Sequence, residues 1–289
     1  MVTATRSDKV LAGTRWVAAL VIPFLIVAFI ILYGFPQQTG ALFAWKIQPA
    51  MSAMMLAAAY MGGIYFFARV LLTKQWHKVK VGFLPVTIFA SLLGLATILH
   101  WDRFNHSHVS FFAWAALYFT TPIIVLFVWL RNRVQDPGYA IRPLVMLPRW
   151  VRWLIGTIGM ITLCIAVVLF LLPGVMMSAW PWKLTPLTAR VMSAMFALPG
   201  VVGLGIALDG RWSASRIILE SQGFSIAFIL LAVARASSDF DWAKPGSWMF
   251  VVGLGGMLAS IIVLYLVMQA RYGGAAVNEP PDPRLQAPG

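Results

Sequence analysis

Residues 44–55 read AWKIQPAMSAMM and residues 181–192 read PWKLTPLTARVM. Each stretch carries Trp-Lys, an aliphatic residue, one variable residue and Pro ahead of a long apolar run. Trp45, Lys46 and Pro49 recur as Trp182, Lys183 and Pro186, displaced by 137 positions. The same displacement aligns Arg15-Trp16 with Arg152-Trp153, Pro36 with Pro173 and Asp102 with Asp239. With one residue more, Ile123-Ile124-Val125-Leu126 meets Ile261-Ile262-Val263-Leu264 and Arg133 meets Arg271. These ordered coincidences predict a tandem duplication.

The composition says what is duplicated. Of the 289 residues, 61% are apolar and only 11% charged, and the mean hydropathy is +0.83. A soluble globule clothes its surface with far more charge than this. Eight apolar runs, near 16–35, 49–72, 81–101, 109–130, 151–172, 186–208, 213–234 and 247–269, are long enough to cross a hydrocarbon layer of about 30 Å. The expectation is an all-α, polytopic membrane protein with eight transmembrane helices. The basic start (Arg6, Lys9, Arg15) leads into a run too long for a signal-peptide core, so it reads as the first span. Residues 1–136 would form repeat 1 and residues 137–272 repeat 2. Residues 273–289, rich in Pro, Gly and Ala, read as a disordered cytoplasmic tail. The Pro and Gly residues of 131–150 argue against a continuous helix between the copies.

Four spans per copy bring both copies into the membrane from the same side, so the repeats are expected to be parallel. Sixteen of the 22 Lys and Arg residues fall on the side of the N-terminus and six on the other. The positive-inside rule then predicts a multi-pass protein of the cell inner membrane with cytoplasmic N- and C-termini. The net charge of +13 belongs to loops, so nucleic acid is not an expected partner. The lone Cys164 rules out an intrachain disulfide.

Candidate sites are few. In each Trp-Lys cassette, Pro suits a first helical turn, Trp the headgroup level, and Lys a snorkelling position. Lys46 is a candidate partner of Asp102, and Lys183 of Asp239 or Asp241. With Arg190 these form a candidate polar or ligand site. Arg216 and Glu220, four apart on one helical face, are the candidate intramembrane pair, with Gln222 close by. His100, His106 and His108 are weak metal candidates because their spacing matches no metal motif, and no metal is expected. Gly200, Gly203, Gly205, Gly253 and Gly256 mark places for close helix approach. No catalytic residues are assigned.

The run Trp182-Lys-Leu-Thr-Pro-Leu-Thr-Ala-Arg190 resembles a Trp-x-Leu-Thr-Pro-Leu-Thr-x-Arg stretch of uncharacterised bacterial multi-pass membrane proteins. That resemblance implies no activity. The reading favours a non-enzymatic integral membrane protein with a structural, accessory or assembly role in a membrane complex. Its partners would be the lipid bilayer and other membrane protein subunits. No cofactor is expected beyond a bound lipid or apolar pigment. The alternatives are a transporter of a small or lipidic solute, and a membrane enzyme using the extracytoplasmic His/Asp cluster.

Overall fold

A computed structural model describes residues 6–277. Eight long helices carry the chain: α1 (Ala12–Phe29, closed by a π-helical turn at Ile30–Gly34), α2 (Ala50–Leu72), α3 (Phe83–Leu99), α4 (Val109–Asn132), α5 (Arg149–Leu171), α6 (Pro186–Asp209), α7 (Trp212–Arg235) and α8 (Pro245–Val277). Each holds an apolar stretch long and uncharged enough to cross a bilayer. Among the described residues there is no strand, only two isolated bridges. Hydrocarbon offers amides no partner, and a helix satisfies them within its own segment.

Local chemistry sets the helix ends. Pro186 stands in the first turn of α6, where its missing N–H costs nothing, and the Thr185 hydroxyl accepts from the Thr188 N–H at 3.2 Å. Gly210, at φ +72°, stops α6 in a left-handed turn that a side chain would strain. The segment between α4 and α5 breaks into two short 3-10 turns, as its Pro and Gly residues require. One boundary differs from expectation. Residues 273–277 continue α8 because extending a helix adds a hydrogen bond for each residue fixed. The rest of the expected tail, 278–289 with Arg284, lies outside the described residues.

The helices after the two cassettes, α2 and α6, are at least half buried. Within its own half, α2 packs on α1 and α6 on α5. Across the halves, α2 packs on α7 and α6 on α3. The remaining helices, α4 and α8, cover α3 and α7. Small residues permit these crossings. A Cβ on Gly62 would fall 2.1 Å from Ser225 Oγ, and Ser221 Oγ donates to the Gly62 carbonyl at 2.8 Å. A Cβ on Gly159 would meet the Gly200 carbonyl at 2.8 Å and Gly203 Cα at 3.1 Å. Between helices in lipid, such close backbone contact carries much of the packing energy. Gly200, Gly203 and Gly205 make close approaches. Gly253 and Gly256 of α8 face open space instead, because α8 is packed on α7 alone among the long helices.

Many backbone contacts occur twice, displaced by 136 or 137 positions. Val10 N–H donates to the Lys74 carbonyl at 3.1 Å, and Leu147 to Gly210 at 2.9 Å. Trp76 donates to Asp8 at 2.8 Å, and Trp212 to Val145 at 2.9 Å. At the other end, Asn105 donates to Ala44 at 2.8 Å and Asp241 to Pro181 at 2.9 Å. Trp45 packs among Phe43, Phe104 and Trp114, as Trp182 does among Trp180, Phe240 and Phe250.

Candidate functional site

The charged chemistry gathers at the two ends of the bundle. At the end that carries the N-terminal segment, Arg211 is 2% exposed by its side chain and sits between two carboxylates. Its Nη1 and Nη2 donate to Asp136 at 3.0 and 2.9 Å, and its Nε and Nη2 to Asp209 at 2.7 and 2.8 Å. Lys80 Nζ lies 2.5 Å from both carboxylates. Burial alone would raise the Asp136 pKa, but donors from Arg211, Lys80 and the Gly138 N–H hold it well below the usual carboxylate range. Burial works against the Arg211 cation too, and Asp209 and Asp136 outweigh it and raise its pKa. This cluster ties the segment joining the halves to the α2–α3 loop and the α6–α7 turn. Beside it, buried His77 gives its N–H to Asp8 at 3.0 Å and holds the same carboxylate through Nδ1 at 2.5 Å.

Two turns into α7 lies the pair predicted from sequence. Arg216 Nε donates to Glu220 Oε1 at 2.9 Å. The structure adds three residues to it: Arg69 at 3.0 Å from Oε2, the Tyr65 hydroxyl on the same oxygen, and the Tyr265 hydroxyl at 3.1 Å from Oε1. Gln222 lies outside this network, since positions two apart on a helix face different ways. Arg69 and Arg216, with Lys78, Trp212, Ser213, Ile217 and Tyr272, line an open cleft.

The opposite end holds the cassettes. Trp45 and Trp182 are 4% and 2% exposed, so they fill aromatic boxes inside the protein rather than face outward. Their large apolar area is better satisfied inside, and Trp182 Nε1 finds Ser52 Oγ at 2.8 Å. Lys46 and Lys183 are exposed. The expected bridges take other partners. Asp102 pairs with its neighbour Arg103 at 3.2 Å, Asp241 reaches Lys244 at 3.9 Å, and Asp239 accepts the Met51 N–H at 2.8 Å. An exposed pair gains little, whereas a free N–H at the start of α2 gains a charge-assisted bond.

The three candidate histidines are used separately. His100 Nε2 accepts from Arg190 at 2.7 Å, and burial followed by the Arg190 charge lowers its pKa, which keeps it neutral. His106 stacks on Trp101, and His108 Nδ1 accepts the Ser110 N–H at the start of α4. Among the described residues no three His, Cys, Asp or Glu side chains converge as a metal ion would need.

Sequence reading missed the Asp136–Arg211 cluster, the Asp8–His77 pair and the tyrosines on Glu220. One signal was present: Asp8, Asp136, Asp209 and Glu220 are carboxylates on the most basic side of a chain with only nine acidic residues. No protein-family model, curated protein or solved structure matches this chain.

Proposed function

We propose that the protein is a non-enzymatic accessory or assembly component of a membrane complex. In this reading two copies of one four-helix unit point the same way through the inner membrane, with both termini cytoplasmic. The recurring contacts at a displacement of 136 or 137 support the duplication. Sidedness is supported by the end that joins Asp8, Lys80, Asp136 and Arg211, which is also the end with most of the Lys and Arg residues.

The observation that carries the accessory role is the open face of α8. Its counterpart α4 is packed on both α3 and α1, whereas α8 turns Gly253, Gly255 and Gly256 to empty space. A helix in lipid gains by laying such small residues against another backbone. The occupant proposed is a transmembrane helix of a partner subunit. Purification in mild detergent followed by mass spectrometry should recover a stoichiometric membrane protein, and a Gly253→Leu/Gly256→Leu variant should lose it while remaining folded. A protein that purifies alone, or a partner indifferent to those leucines, would refute the reading.

The charged group at Glu220 beside an open cleft favours one second reading, transport of a small or lipidic solute through the α7 region. Solute uptake that vanishes in a well-expressed Glu220→Gln variant would replace the accessory role with it.

A further inference from the structure

The cleft beside Glu220 is walled by α2, α7, α8 and the α2–α3 loop. Three cationic side chains reach it: Arg69 from α2, Lys78 from the loop and Arg216 from α7. The two arginines hold the Glu220 carboxylate, and both its oxygens are already taken. Oε2 holds Arg69 and Tyr65, and Oε1 holds Arg216 and Tyr265. The acid whose charge acts on Lys78 is Asp8, which is engaged by the His77 ring and backbone N–H. Three cations at the cleft, Arg69, Lys78 and Arg216, therefore face two carboxylates, both already engaged.

Like charges held together in a half-buried site repel unless an anion joins them. The Lys78 amine shows that strain: burial lowers its pKa, Asp8 partly opposes this, and Arg216 and Arg69 lower it further. Arg69 spends one guanidinium nitrogen, Nη1, on Glu220, and Arg216 spends Nε, so further N–H donors remain on both. A planar carboxylate would meet one or two such groups. A tetrahedral oxyanion carries enough oxygens to take donors from three directions, and Arg forks with a Lys point charge are the usual way proteins hold phosphate.

We infer that this cleft binds a phosphate group, supplied by an anionic lipid headgroup or free in solution. The cleft, about 80 Å³ and open to the outside, has room for a phosphate group. Ser213 adds a hydroxyl to the wall, and Trp212, Ile217 and Tyr272 supply apolar surface beside the charges. A headgroup entering sideways from the leaflet would meet both kinds of surface. The site deepens the accessory reading only in placing the protein in a bilayer, and it stands whether or not α8 has a partner.

Full-length protein in phosphatidylcholine nanodiscs tests it, with thermal unfolding followed as phosphatidylglycerol is added or, in a parallel series at constant ionic strength, inorganic phosphate. The unfolding temperature should rise and saturate with at least one of them. Lys78→Gln should weaken that half-saturation about fivefold, and Lys78→Glu more, as the loss of one charge-assisted contact to the phosphate would. Arg131→Gln, an exposed cation outside the cleft, should leave it unchanged. Saturation by the lipid alone assigns a headgroup, and saturation by inorganic phosphate assigns a soluble ligand. No response to either, or Lys78→Gln and Arg131→Gln responding alike, overturns the site. Loss of this response with partner recovery intact would reject the phosphate site and leave the accessory role standing.

Discussion

The two halves share a backbone plan but lock it differently. In the first half, Asn132 at the end of α4 accepts from the Leu11 N–H at 2.9 Å and Thr14 Oγ1 at 2.8 Å, and donates to the Lys9 carbonyl at 2.9 Å. Those bonds close α4 onto α1. In the second half the positions equivalent in the fold are Met268 and Val151, which can make no such bonds, and α8 stands away from α5. Backbone contacts thus recur in both halves, while a few polar side chains decide whether each half is closed or open.

The largest test of that division is Arg211, which has Gln75 as its aligned counterpart in the first half. Replacing Arg211 with Met leaves Asp136 and Asp209 facing Lys80 alone, and should cost about 3–5 kcal/mol in reversible unfolding in detergent. Gln75→Met should change little. The same cluster gives an acid signature. Because the folded Asp136 pKa lies below its unfolded value, its stabilisation is present above the ordinary carboxylate range and fades as pH falls below about 4. Asp136→Asn should flatten that part of the stability–pH curve, and an unchanged curve would remove Asp136 from the account.

Asn132→Ala comes next. It strands the Lys9 carbonyl and the Leu11 N–H, and about 1–3 kcal/mol should be lost. Crosslinks between α1 and α4 should weaken while α5–α6 crosslinks persist. Equal loosening in both halves would mean that Asn132 does not distinguish them.

Smallest is the pair of aspartates that the sequence aligns, Asp102 and Asp239, which the fold sets one residue out of register. Asp239 caps α2 across the halves, where the chain has Gln48 in place of a self-capping residue; α6 caps itself through Thr185, and Asp102 stays exposed. Asp239→Asn should cost about 1 kcal/mol, and Asp102→Asn less than about 0.5. Equal costs would show that the two positions do the same job.

Most of the architecture was legible because lipid leaves the chain few choices. Runs near twenty apolar residues must be helices, and the eight spans were found to within a few residues, apart from an α8 that begins earlier and runs further. The intramembrane pair Arg216–Glu220 was legible too, since four residues make one turn and both partners sit on one helix. The cassette tryptophans were harder to place. An interfacial Trp and a buried one look alike in sequence, and only the surrounding Phe43, Phe104 and Trp114 make Trp45 a core residue.

The sequence alone determined the helical class, the span count and the pairs one turn apart, because these rest on length and local spacing. Tertiary structure decided what is joined over long separations: Arg211 to Asp136, Asp239 to the start of α2, Arg69 and Tyr65 to Glu220. It also decided which half is closed. Carboxylates in a basic setting have many candidate cations in the sequence, and packing alone brings particular ones within hydrogen-bonding distance.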